Sequence, residues 1–144
     1  MSRTFIGNGI VYTGLDIPSP ATIAIEGDKI LEIVPGALPE SELPKDRDRW
    51  IDATGRLVTP GLVNAHTHIY SALARGISLK DPPPTDFLET LERLWWRLDR
   101  ALTIADIDLS ARLHGIECLK SGVTTIFDHH ASQRAIRGSL ETIS

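Results

Sequence analysis

Cysteine is almost missing: Cys118 is the only one in 144 residues. No disulfide can form within the chain, so a reducing compartment is the expectation. Long apolar runs are missing too, none approaching the ~20 residues that span a bilayer. The opening Met1-Ser-Arg-Thr-Phe-Ile-Gly-Asn-Gly lacks the apolar stretch of a secretory signal. Positive charge is not in excess. The formal net charge is −4 with no long block of either sign, which argues against a nucleic-acid surface. No internal repeat or low-complexity segment is present. What remains, 42% hydrophobic and 24% charged, is the mixture of a cytoplasmic globular protein without a membrane segment. The length suits one ordinary domain.

The first fifty-odd residues read as β structure. Ile10-Val11-Tyr12-Thr13 is a short strand signal, and Thr22–Glu26 alternates before a Gly27-Asp28 turn into Lys29–Val34, a hairpin pattern. Pro35 to Arg49 holds three prolines and mixed charges and reads as a surface loop; Trp50-Ile51-Asp52 then resumes β. After Gly55 the pattern changes. Arg56 to Asn64 is a near-continuous apolar run, as for a strand of a parallel sheet buried on both faces. Beyond Pro82-Pro83-Pro84, Asp86 with Glu89 predicts a capping box, and Phe87, Leu91, Leu94, Trp95, Leu98 and Leu102 fall on one helical stripe. Thr103 with Asp106 predicts the cap of a second helix, carrying Ile107, Leu113, Ile116 and Leu119 and stopping at Ser121-Gly122. Val123–Phe127 is a second strand, and a further helix pattern begins at Arg134. The alternation is the opening of a βα series.

Residues 59–68 read Thr-Pro-Gly-Leu-Val-Asn-Ala-His-Thr-His. Alternate side chains of a strand share a face, so His66 and His68 project together while Thr67 turns away. Two neutral imidazoles at a strand mouth are two ready ligands for a divalent metal. Two histidines alone favour a merely polar strand end over a metal site.

With Pro60–His68 placed after a β-rich segment, the chain resembles the amidohydrolase superfamily, in the branch of cytosine deaminases, chlorohydrolases and SsnA-like aminohydrolases. Leu73-Ala74-Arg75-Gly76, Leu94-Trp95-Trp96-Arg97-Leu98-Asp99-Arg100-Ala101-Leu102, and Ser121–Thr125 leading to Asp128-His129-His130-Ala131-Ser132 carry the same likeness. The resemblance implies an α/β fold: part of a β-sandwich over residues 1–55, then the first βα units of a TIM-type (β/α)₈ barrel over 56–144, incomplete because a barrel needs ~250 residues. It also implies a zinc or iron ion on His66 and His68, with two further His and an Asp from later strands.

The implied activity is metal-dependent hydrolysis of a C–N bond in a heterocyclic or amidine-like small molecule. These residues supply no candidate for the general acid or base. On the face where barrel loops gather, His129 and His130 are the candidate substrate-binding residues, although consecutive side chains cannot both point inward from regular strand. A satisfied polar strand end accounts for them equally well. His114 reads as structural, Cys118 as a small buried thiol, Trp95 as core on the apolar stripe, and Trp96 is offset from it. A piece with open strand edges implies a homo-oligomer or a complementing chain, as in a split enzyme, or else a non-functional remnant.

Overall fold

The computed structural model describes residues 2–39, 44 and 46–144. The chain forms two compact units, Met1–Pro60 and Gly61–Ser144. In the first, β1 (Arg3–Val11), β2 (Ser19–Glu26) and β3 (Lys29–Pro35) pair antiparallel in sequence. The Gly27-Asp28 turn joins β2 to β3, with Gly27 at φ +60, as a two-residue hairpin turn with glycine first requires. On its other side β1 pairs parallel with β4 (Arg49–Asp52) and β5 (Leu57–Val58). Val11, Ala21 and Ile23 form the buried cluster, with Ile6, Ile25 and Val58 packed against it. Part of the expected Pro35–Arg49 loop, residues 40–43 and 45, lies outside the described residues.

β1 is longer than its sequence signal because two glycines hide it. A Cβ on Gly7 would stand 2.1 Å from the Trp50 ring, and one on Gly9 would stand 2.9 Å from Ala53. Both positions need close backbone approach, which only glycine permits.

The expected single strand over Arg56–Asn64 is two strands. Leu57–Val58 completes the first sheet, and β6 (Leu62–Thr67) starts the second unit. Pro60 between them has no N–H to give a ladder. β6 pairs parallel with β7 (Val123–Asp128), with one extra residue in β6 between Asn64 and Thr67. The connection contains a 3₁₀ segment (Ile69–Ala74), then α1 (Phe87–Thr90), a π-helical segment (Leu91–Trp95), α2 (Trp96–Ala101) and α3 (Ile104–Lys120).

The Asp86 side chain accepts from the Glu89 amide, but Glu89 does not close a capping box. Its carboxylate takes the Thr85 amide and hydroxyl and the Arg93 guanidinium instead. At α3 the expected capping box is complete: Thr103 accepts from the Asp106 amide, and Asp106 accepts from the Thr103 amide. Of the apolar side chains expected on the core face of α3, Ile107 is fully buried while Leu113, Ile116 and Leu119 are exposed. The last helix, α4 (Ser139–Ile143), begins five residues later than the pattern implies, after Gly138 at φ +83. No helix among the described residues is long and apolar enough to cross a membrane.

The π-helical segment changes the helical stripe. Trp96 donates to the Leu91 carbonyl across five residues, so the helix absorbs one extra residue. In regular α geometry Phe87 and Asp99 would lie about 120° apart. Absorbing the extra residue takes out about 100° and puts both on one side. Phe87, Leu91, Trp95, Trp96 and Asp99 consequently line one cavity, whereas Leu94 and Leu98 turn to the Ile77–Asp81 loop.

Candidate functional site

The mouth of the β6–β7 pair gathers the polar chemistry of the second unit. His66 sits in β6, its amide donating to the Asn64 side chain at 3.3 Å. His68 lies just past the strand end, at the head of the 3₁₀ segment. Thr67 points the other way, its hydroxyl 3.3 Å from Nε2 of His114 on α3. That contact gives His114 the structural role its helical position implied.

The two site imidazoles meet edge to face, with their Nε2 atoms 3.3 Å apart. Two nitrogens each ~2.05 Å from a tetrahedral zinc are separated by ~3.3 Å. The tautomer of His68 is set by its other nitrogen. Nδ1 lies 2.8 Å from the His129 carbonyl oxygen, a pure acceptor, so Nδ1 carries the proton and Nε2 keeps its lone pair. The pair thus has the spacing, and His68 the tautomer, with which two histidines could hold a divalent cation. Among the described residues no group of three or more His, Cys, Asp or Glu comes together as a metal site.

Around the pair is a cavity of about 490 Å³ whose lining includes Tyr70, Trp95, Trp96, Asp99 and His129. Of the two residues that follow β7, the structure brings His129 to this cavity and not His130. The His129 ring lies 5.5 Å from that of His68, tilted against it by 50°. His130 packs at 5.2 Å from the Tyr70 ring, takes a 2.8 Å hydrogen bond between Nε2 and Ser132, and lines a separate cavity with Ser139 and Leu140. Asp128 accepts the Ile69 amide at 2.7 Å, tying the start of the 3₁₀ segment to the end of β7. Ser110 on α3 donates to the Ile69 carbonyl at 2.7 Å from the other side.

Trp95, expected in the core, stands in the cavity wall with its ring 6.1 Å from that of His68. Trp96 is beside it. Tyr70 and Asp99 were not singled out from the sequence, and both belong here. Each had a signal: Tyr70 continues the i, i+2 series from His66 and His68, and Asp99 is a charged residue four positions after Trp95 on an apolar stripe. Burial, followed by a hydrogen bond to Asp99, pushes the Tyr70 phenol well above its ordinary range. At neutral pH Tyr70 is therefore a hydrogen-bond donor.

Residues 49–101 match the sequence profile of the Amidohydrolase family. The chain is 36% identical over 142 residues to the 5-methylthioadenosine/S-adenosylhomocysteine deaminase of Desulforudis audaxviator, covering 98% of this chain and 31% of that protein. To the 8-oxoguanine deaminase of Pseudomonas aeruginosa it is 33% identical over 132 residues, covering 90% and 28%. Among solved structures, a triazine hydrolase from Arthrobacter aurescens superposes with a TM-score of 0.67 at 28% identity, covering 99% of this chain and 33% of that one. An atrazine chlorohydrolase from the same organism, complexed with zinc, superposes with a TM-score of 0.64 at 27% identity, covering 96% and 32%. The chain spans about a third of the length of the curated relatives it matches.

Proposed function

We propose, for a chain that belongs to the amidohydrolase superfamily and corresponds to the N-terminal portion of its relatives, that it contributes two metal ligands and one wall of the substrate cavity to a metal-dependent hydrolase of C–N bonds. The substrate class is a heterocyclic or amidine-like small molecule. His66 and His68 are the ligands, and zinc is the metal they suit, with iron as the alternative. The observation that carries the reading is the 3.3 Å Nε2–Nε2 separation together with the fixed tautomer of His68.

The residues of this chain act by holding and orienting. The His129 carbonyl keeps the His68 ring turned so that Nε2 faces His66, and imidazole basicity rises with such a partner. His129, beside the pair, is the residue placed to meet a substrate heteroatom. The aromatic wall of Trp95 and Trp96 excludes water from one side and offers flat faces to a ring. When bound, a zinc ion supplies Lewis acidity and a water whose pKa falls to about 7. The reading assigns the general acid or base to none of the described residues.

On this reading the first unit is part of the flanking β-sandwich and the second is the start of the (β/α)₈ barrel. Exposed Leu62, Val63 and Phe127 on β6 and β7 support that, since strands of a closed parallel sheet bury both faces. The same exposed side chains favour a second reading, in which a complementing chain or a second copy covers them.

The test is zinc affinity, read by competition with a chromophoric chelator. His66→Ala and His68→Ala are each expected to weaken zinc binding at least tenfold with the far-ultraviolet circular dichroism unchanged. Equal affinity in the variants and the parent chain removes the assignment.

A further inference from the structure

Asp128, His130 and Ser132 follow one another at alternate positions where β7 ends. Nε2 of His130 lies 2.8 Å from the Ser132 hydroxyl, and Nδ1 lies 3.7 Å from Oδ2 of Asp128. That Nδ1 and that Oδ2 are buried, and neither has a hydrogen-bond partner among the described residues. Buried polar atoms are almost always paired, because leaving one unsatisfied costs of order 1–3 kcal/mol. Each supplies what the other lacks, and closing the gap by about 0.9 Å, from 3.7 to an ordinary 2.8 Å, pairs them. A carboxylate only accepts, so the pairing puts the ring proton on Nδ1 and the lone pair on Nε2. Nε2 then accepts from the Ser132 hydroxyl, a base in contact with an oxygen nucleophile. The Tyr70 ring packs edge to face on the imidazole at 5.2 Å and holds it in this orientation. Ser132, 5% exposed, opens onto the cavity of about 320 Å³ that it shares with Gln133, Ile136, Ser139 and Leu140. Neither the main-chain nor the side-chain amide of Gln133 is hydrogen-bonded among the described residues. The residue after a nucleophile is a usual source of the N–H that stabilises a tetrahedral oxyanion.

We propose that Asp128, His130 and Ser132 form a second catalytic site, a nucleophilic triad that hydrolyses short-chain carboxylic esters. Ser132 and His130 are the catalytic residues, and Asp128 is a positioning residue that sets the His130 tautomer. Ser132 Oγ bonds to the acyl carbon while His130 Nε2 takes its proton. The tetrahedral adduct then breaks the ester C–O bond, and the alcohol leaves with that proton. Water, deprotonated by the same Nε2, cleaves the acyl–Ser132 ester, and the proton returns to Oγ. Ile136 and Leu140 give the cavity the apolar wall that an acyl chain of a few carbons needs. The reaction uses no metal and stands independently of the His66/His68 assignment.

For the test, the chain is stripped of metal with a chelator, so that hydrolysis at the His66/His68 pair cannot contribute. p-Nitrophenyl butyrate reads turnover. An alkyl fluorophosphonate traps the nucleophile: Oγ bonds to phosphorus, fluoride leaves and His130 takes the proton. The adduct is expected on Ser132 by peptide mass spectrometry. Ser132→Ala is expected to lose the adduct and at least about 100-fold in turnover, and His130→Gln to slow turnover by at least about 100-fold. No adduct on Ser132 in the folded parent, or turnover in Ser132→Ala within about tenfold of the parent, overturns the proposal.

Asp128→Asn separates positioning from mere support. It keeps an oxygen for the Ile69 amide and turns an NH₂ group toward Nδ1, which reverses the His130 tautomer. Turnover is expected to fall at least about 100-fold, and the far-downfield proton NMR signal of Nδ1–H to disappear. An unchanged rate and an unchanged signal in that variant overturn the triad. Should His130→Gln or Asp128→Asn lose its fold by circular dichroism, Ser132→Ala, which deletes one hydroxyl, decides alone.

Discussion

Gly61→Ala should damage the site without touching any residue in it. Gly61 precedes β6, where the backbone runs against Thr124 of β7. A Cβ at position 61 would lie 2.1 Å from Thr124 Oγ1, 2.3 Å from its Cγ2 and 2.7 Å from its Cβ. Rotating the threonine clears only one of the first two contacts, because a β-branched side chain fills two of its three staggered positions, and Cβ is fixed to the backbone. Reaching an ordinary 3.4 Å contact with Cβ alone requires the strands to part by about 0.7 Å, the difference between 3.4 and 2.7 Å, and the remaining γ atom asks for more. Overpacking of that kind costs about 1–3 kcal/mol, and with no rotamer escape we take about 2 kcal/mol.

Urea unfolding is the assay. With a slope of about 2 kcal/mol per molar, the midpoint falls by about 1 M. Thr124→Ala removes the two nearest atoms and keeps only the Cβ contact, so it should restore part of the loss, and Thr124→Gly, which removes the Cβ as well, should restore more. The double-mutant cycle then yields a coupling of about 2 kcal/mol. Because β6 and β7 also hold the 2.8 Å contact between His68 and the His129 carbonyl, zinc affinity should fall alongside stability. A Gly61→Ala midpoint within 0.2 M of the parent (roughly 0.4 kcal/mol), or strict additivity with Thr124→Gly, would refute the reasoning.

Other consequences are open to equally direct measurement. Asp106 is held below its ordinary 3.8 by hydrogen bonds from the Thr103 hydroxyl and then the Thr103 amide. A depressed carboxyl stabilises the fold above its unfolded value, and that contribution disappears as pH falls through the folded one. A carboxyl titration by NMR should accordingly show a midpoint under 3.8 that moves back up in Thr103→Ala. The same substitution should cost about 1 kcal/mol, as loss of an N-cap does, read as a lower urea midpoint. Cys118 is a free, buried thiol, so it should react with a thiol reagent only as fast as the chain opens; immediate labelling under native conditions would contradict its placement. His129→Ala should leave zinc affinity within about threefold of the parent, because the His68 contact uses the backbone carbonyl rather than the ring. A larger loss would make the ring itself a ligand.

Much of the fold is legible in residue order because it rests on local chemistry. The Gly27-Asp28 hairpin, the Thr103–Asp106 cap and the Ser121-Gly122 stop are each decided within a few residues. The His66/His68 pair is legible for the same reason, as strand alternation alone puts both rings on one side. What was hidden depends on contacts distant in sequence. Gly7 weakens the strand signal of β1 until one knows that Trp50 covers it. Trp95 and Asp99 look like a core aromatic and a stray charge while the helix is counted at 3.6 residues per turn. Periodicity cannot reveal a place where the count changes. His129 and His130 are distinguished only by Tyr70, which receives the second ring and leaves the first beside His68.

The π-helical segment gives this helix one residue of slack, and slack has an evolutionary consequence. Removing Glu92, which faces solvent, would turn the segment into regular α-helix. Phe87 and Asp99 would then be eleven residues apart, about 20° around the axis, and the wall of the cavity would survive. Adding a residue before Asp99 instead would swing it by about 100° with no slack left to absorb it. Chains of this kind can therefore lose one residue between Leu91 and Trp95 while Phe87 and Asp99 keep to one side of the helix. A one-residue gap there keeps the cavity wall in register, whereas a one-residue insertion does not.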